Sequence, residues 1–302
     1  MKNRLKKSIG INFFILVLLF TNQLVSQNAL QRQFEQLADT IKGNIGVSAL
    51  NIETGESISF NGNEKFPMQS VYKFPIAMVM LNEIDNGNFS LKDTILINES
   101  EYIPTAGHSP IRDKYPNGIK LTIKEILEYN ISQSDGTACD VLLRLLGGTD
   151  KVEKSIHALG VKDIAISTTE MVQVANDTIQ YQNWATPNAM NRLLEIFQNG
   201  NYLTEQSKNL LLGFMSVSNK WFDRRIKRLL PKETKLAHKT GTSSTYNGLT
   251  RATNDVGIIT LPDGSHLAIS IFISDSYDSQ KKREMTIAQA AKAAYDYWTR
   301  KN

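Results

Sequence analysis

Ser70 and Lys73 are spaced for nucleophilic chemistry, and Ser134-Asp135-Gly136 and His238-Lys239-Thr240-Gly241 follow them in that order along 302 residues. A serine hydroxyl attacks a carbonyl at neutral pH only with a proton acceptor in hydrogen-bonding reach, and a lysine amine can be that acceptor. In a helix, residues three apart share a face, which would bring Lys73 beside Ser70. Phe74, Ala77, Met78 and Leu81 form one apolar stripe, and Asn86-Gly87 supplies a stop, so the spacing predicts a helix from Ser70 or just after it. Pro75 is tolerated there only because the first turn has backbone N–H groups without internal partners. The same turn aims N–H groups at any oxyanion formed on Ser70.

Ser134 opens a second candidate group and can carry a proton to a leaving nitrogen, while Asp135 is placed to cap the helix that follows. On a strand, Lys239, Thr240, Gly241 and Thr242 offer a cation, hydroxyl donors and a glycine that lets the backbone approach a ligand closely. A solvated lysine on an edge strand is the alternative reading of Lys239.

Several elements must position these groups. Leu30, Phe34, Leu37 and Ile41 mark an amphipathic helix ending near Gly43. Residues 45–51 and 57–60 alternate as strands around a Glu53-Thr54-Gly55-Glu56 turn. From about 66 to 215 the chain reads mostly as helices, with examples over 122–129, 137–146, 150–159 and 188–197. Strand character returns at 236–242, 255–261 and 266–274, and an alanine-rich helix over about 280–298 closes the chain. Strands at both ends with helices between imply an α+β fold with one antiparallel sheet built from the two termini and a helical insertion. The expected units are residues 27–65 with 216–302 as an α/β lobe and 66–215 as a helical lobe, with the site in the cleft between them.

Composition narrows the partners. The formal charge of +4 comes from 34 basic and 30 acidic residues, and Lys2, Arg4, Lys6 and Lys7 lie in an acid-free stretch ahead of residue 27. Without that stretch the charge balances, which removes the electrostatic reason to propose nucleic acid or an anionic membrane. The basic start, the apolar run from Ile9 to Phe20 and the small Ser26 read as a secretory signal over 1–26, with an uncleaved anchor as the alternative. Cys139, the single cysteine, lies in an apolar helical run without basic neighbours and reads as a buried structural thiol. His108, His157, His238 and His266 have no paired metal-ligand spacing, and neither a phosphate-cradling loop nor a dinucleotide fingerprint occurs, so no metal or cofactor is implied.

The three ordered motifs resemble those of the penicillin-recognising serine enzymes, and over nearly the whole chain after residue 26 the sequence resembles a class A serine β-lactamase. Tyr181-Gln182-Asn183-Trp184-Ala185-Thr186-Pro187 and Ala252-Thr253-Asn254-Asp255-Val256-Gly257 are similar to the divergent extended-spectrum branch found in Bacteroidetes-type bacteria. The resemblance implies a five-stranded antiparallel sheet flanked by helices, an all-helical insertion lobe, and export to a periplasm as a monomer acting on a small β-lactam without stable membrane association. It implies acylation of Ser70, with Lys73 or a water backed by Glu170 as base, Ser134 as proton carrier and the backbone N–H groups of Ser70 and Thr242 as oxyanion hole.

Glu170, in Thr169-Glu170-Met171-Val172, occupies the place of the carboxylate that activates water to release the acyl group. Met171 and Val174 stand where the commoner pattern has proline and asparagine, and Gly136 stands where it usually has asparagine. Lys239, Thr240 and Thr242 are expected to hold the substrate carboxylate. Arg225 either adds a bidentate partner or is a solvated charge, and His108 is either a gate residue or a surface histidine. A D-alanyl-D-alanine peptidase and a penicillin-sensing domain are the rival readings. Thr242, Ser243 and Ser244 with the altered glutamate loop suggest a roomy cleft suited to bulky cephalosporins.

Overall fold

The computed structural model describes residues 27–217 and 223–300; the expected secretory signal lies outside the described residues. Its central sheet runs in the order Ser57–Phe60, Asn44–Asn51, His266–Ser276, Leu249–Thr260, Leu236–Thr242, antiparallel throughout. These are the five expected strands, joined by a two-residue sixth, Thr245–Tyr246, that folds back on the start of Leu249–Thr260. The strand expected from residue 255 begins at Leu249 because its neighbour continues the ladder, with Thr250 opposite Ser276.

Both faces of the sheet are covered. On the last strand Leu267, Ile269, Ile271 and Ile273 face the terminal helices, while Ala268 and Phe272 join the core shared with the helical insertion. This is the period of two that a strand imposes on its side chains. Leu30 and Phe34 of the helix over 27–40 pack with Ile287 and Trp298 of Gln280–Thr299 on the first face. Helix Pro187–Asn199 sits against the other, where buried Asn191 donates to Ser48 Oγ and the Ala268 carbonyl and accepts from Ser270 Oγ.

The insertion is predominantly helical but not helix alone. Two small sheets lie within it, one pairing Thr94–Ile97 with Ile119–Thr122 and one joining Phe66–Pro67, Trp184–Ala185 and Ile164–Ala165. Helix Lys73–Asp85 runs through its centre and is buried continuously from Lys73 to Leu81. The expected apolar stripe is therefore widened to Ile76, Val79 and Met80, because other helices surround this one on all sides. No helix among the described residues is long and apolar enough to cross a membrane.

Candidate active site

The nucleophile turn begins as a 3₁₀ segment, Gln69–Tyr72, and becomes α-helical at Lys73. In 3₁₀ geometry side chains three apart nearly eclipse, and Lys73 Nζ donates to Ser70 Oγ at 2.9 Å. Pro75 falls within the first α-helical turn, as its missing N–H requires. Lys73 is fully buried and forms an ion pair with Glu170 Oε1. Burial by itself would lower the Lys73 pKa, but the Glu170 carboxylate, with smaller contributions from Cys139 and Asp140, turns the net shift upward. The Glu170 carboxylate thus favours the charged form of the lysine.

A second serine–lysine pair faces the first. Ser134 adopts φ +55°, a left-handed conformation uncommon outside glycine and often found at functional sites. Its Oγ accepts from Lys239 Nζ at 2.9 Å. Asp135 has the expected structural role: its carboxylate caps Gly136–Leu146 at Ala138 N (2.8 Å) and also accepts from Ile111 N (2.7 Å) and Ser109 Oγ. Burial raises its pKa against these hydrogen bonds. Burial and then the nearby Lys73 charge lower the Lys239 pKa to about 7.

Ser70, Ser134, Glu170, Thr242 and His108 share one cavity of about 350 Å³, which Ser243, Ser244, Thr245 and Tyr246 also line. Lys73 and Lys239 stand behind the two hydroxyls, with side chains almost wholly buried. Thr240 is buried beside Lys239, and its carbonyl accepts from Lys239 Nζ at 3.0 Å. His108 is exposed at the rim, with Nε2 2.9 Å from the Gln133 carbonyl. Glu170 is the first residue of the short helix Glu170–Ala175, and its side chain is 14% exposed.

Packing sets the surroundings of three of these residues. A Cβ on Gly241 would lie 2.4 Å from the Met68 carbonyl and 3.1 Å from Val71 N, so the glycine lets the nucleophile turn pack against this strand. At Gly136 a Cβ would lie 2.4 Å from Ile103 Cδ1, so this buried position offers substrate neither a side chain nor room for one. Arg225 is not a solvated charge and does not present itself to the cavity. Its buried guanidinium donates to the carbonyls of Gly241 (3.1 Å) and Asn254 (2.6 Å) and to Thr242 Oγ1 (2.5 Å), one layer behind the wall. Cys139 is free and buried as expected, and burial raises its thiol pKa well above the ordinary value.

Other residues hold the site without having been singled out. Asp140 accepts the backbone N–H groups of Glu170 and Met171, each at 2.8 Å, so one carboxylate fixes the start of the Glu170 helix. Burial raises its pKa to about 6 against those two bonds. Asn183 accepts from Ser167 N and Thr168 N and donates to the Thr168 carbonyl, pinning the neck of the same segment. Asn254 ties strand Leu249–Thr260 to the carbonyls of Pro67 and Met68, just ahead of the nucleophile. Arg251 reaches from that strand to form an ion pair with Asp177. Asn183 and Asn254 lie in the two strings that carried the family resemblance, but Asp140 and Arg251 gave no local signal.

A family model described as the β-lactamase enzyme family matches residues 29–298. The chain is 40% identical over 292 residues to β-lactamase VEB-1 of Pseudomonas aeruginosa, spanning 95% of this chain and 97% of that protein. The solved structure of the TLA-1 extended-spectrum β-lactamase superposes with a TM-score of 0.88 at 40% identity, covering 91% of this chain and 99% of that one. A class A β-lactamase from Bacteroides cellulosilyticus superposes with a TM-score of 0.85 at 30% identity, covering 91% and 99%. With two serine–lysine pairs and a paired glutamate around one cavity, and these likenesses over almost its whole length, the chain belongs to the class A β-lactamase family.

Proposed function

We propose that the protein hydrolyses the amide of penicillins and cephalosporins through an acyl-enzyme on Ser70, and that bulky cephalosporins fit its long Ser243–Tyr246 wall. The observation that carries this reading is the Glu170–Lys73 ion pair beside Ser70, a carboxylate close enough to the nucleophile to serve as the base for water.

Ser70 Oγ attacks the lactam carbonyl while its proton leaves through the Lys73–Glu170 pair. Either Glu170 acts as base through a water, or Lys73 takes the proton after giving its own to Glu170. The backbone N–H groups of Ser70 and Thr242 hold the oxyanion, an arrangement that stabilises charge as it develops. Ser134 hands its proton to the ring nitrogen as the C–N bond breaks and regains one from Lys239, whose lowered pKa suits it to proton transfer. Glu170 then removes a proton from water, the water oxygen bonds to the acyl carbon, and Ser70 leaves with a proton. Lys239, Thr240 and Thr242 hold the substrate carboxylate; Arg225 stiffens Thr242 from behind, and His108 lines the rim. Export as a monomer to a periplasm, with cleavage after the basic leader, belongs to the same proposal.

Steady-state hydrolysis of a chromogenic cephalosporin tests it. Continuous turnover is the expected result. A single burst of one equivalent would assign a sensing role, and cleavage of D-alanyl-D-alanine peptides with stalled β-lactams would assign a peptidase.

A further inference from the structure

We propose that Gln173 holds the hydrolytic water against Glu170, an inference that rests on the hydrolase reading above. Val174, which stands where the commoner pattern has asparagine, cannot do so. Its methyl packs into the space a Cβ on Gly107 would need (2.6 Å), alongside Ile103 Cδ1 (2.7 Å). Gln173 lies three residues after Glu170 on the same short helix, so the two side chains share a face, and its own N–H bonds back to the Thr169 carbonyl at 3.0 Å.

The side chain of Gln173 is the unusual part. The residue is only 8% exposed and contributes to the wall of the cavity that holds Ser70 and Glu170. Oε1 and Nε2 are both buried without a hydrogen-bond partner, and no other described side chain has more than one such atom. Buried amides are ordinarily satisfied, so one left with its donor and acceptor both unused at a reaction site points to a small polar ligand. The neighbouring amides are committed elsewhere: Gln69 Nε2 donates to Gln180 Oε1 (2.7 Å), and Gln180 Nε2 donates to Asp177.

The chemistry requires such a group. A water that attacks the acyl carbon keeps one lone pair for the new C–O bond and gives one hydrogen to Glu170. Its second hydrogen needs an acceptor, which Gln173 Oε1 supplies. The proton taken by Glu170 returns to Ser70 Oγ as the ester C–O bond breaks, and Gln173 stays neutral throughout.

Gln173→Met tests this, because it keeps the volume and removes the amide. In an acyl-enzyme mechanism, slower deacylation lowers kcat and KM together and leaves kcat/KM unchanged. A cephalosporin that wild type turns over steadily is expected to show kcat and KM both lower by roughly ten- to a hundredfold, the scale of losing one positioning hydrogen bond in a transition state. The acyl adduct is expected by intact mass, with Tm equal to or above wild type. If that variant does not fold, Gln173→Ser is read by the same ratio. Unchanged kcat, or a fall in kcat/KM as large as that in kcat, overturns the inference while leaving the hydrolase reading intact. A wild-type protein that gives only one burst overturns both.

Discussion

One side of the cleft is built from long regular elements, and the other is not. Lys73 starts a thirteen-residue helix, buried from Lys73 to Leu81, directly after the 3₁₀ turn that carries Ser70, and Lys239 lies on the edge strand of the main sheet. Glu170 opens a helix of only six residues, outside the main sheet, that packs against helix Gly136–Leu146. It is fixed by the Asp140 carboxylate on two backbone N–H groups, by Asn183 at the neck and by Arg251 on Asp177. Backbone ladders set the acylating groups, whereas a few long-range side chains set the hydrolytic one. The first arrangement resists single changes in its supports; the second can be loosened one side chain at a time. The acylation and deacylation steps are therefore expected to fail separately.

Substitutions on the two sides should expose this difference. Ser70→Ala removes the nucleophile, and turnover is expected to fall by roughly 10⁴-fold or more, with no acyl adduct detected by intact mass. Glu170→Gln is expected to acylate normally and then stall, with hydrolysis slowed by about 10³-fold, the scale of a lost general base. Rapid steady turnover of a chromogenic cephalosporin by this variant would sink the role given to Glu170.

The pH profile should separate the sides next, by about tenfold per pH unit beyond each group's pKa. Lys239 titrates near 7 in the free protein, so kcat/KM for a carboxylate-bearing substrate is expected to fall as pH rises above that value. Asp140 takes a proton as pH drops through about 6 and can then accept only one of its two N–H groups, so the deacylation rate should fall on the acid side. Because the folded pKa of Asp140 is raised, its charge costs stability above pH 6, and that cost fades as pH falls towards 4. This group's titration thus makes the protein more stable while it slows hydrolysis. An acid limb that tracks loss of structure by circular dichroism would refute the link to the loop.

The smallest effect is expected from Arg251→Ala. The ion pair is partly exposed and worth no more than about 1 kcal/mol of global stability. Its loss should show as faster amide exchange over residues 170–182 and a severalfold slower deacylation, with acylation unchanged. Equal slowing of both steps would show that the two sides are mechanically one.

What could be read from the chain followed from local rules. Ser70 and Lys73 meet because three residues make nearly one turn; Asp135 caps because its side chain reaches Ala138 N three residues on; and the alternation in 266–276 forces a sheet buried on both faces. The sequence strings around Asn183 and Asn254 pointed to the family without revealing that these amides tie backbone segments together. The surroundings of Gly136, Gly241 and Arg225 could not be read in one dimension. The atoms that set those roles, Ile103 Cδ1, the Met68 carbonyl and the hydroxyl of Thr242, arrive from distant segments.

The spacing of Ser70 and Lys73 by itself brought hydroxyl and amine together, since that pair closes within one turn, and the order of helices and strands by itself gave the α+β class; Ser134 and Lys239, 105 residues apart, are joined only by the fold. Only the tertiary structure decided what surrounds Glu170. Asp140 is 30 residues away in sequence and Arg251 meets Asp177 across 74, and a contact of that kind has no periodicity to betray it. Whether a side chain there faces substrate, water or packed carbon depends on which distant atoms already fill the space.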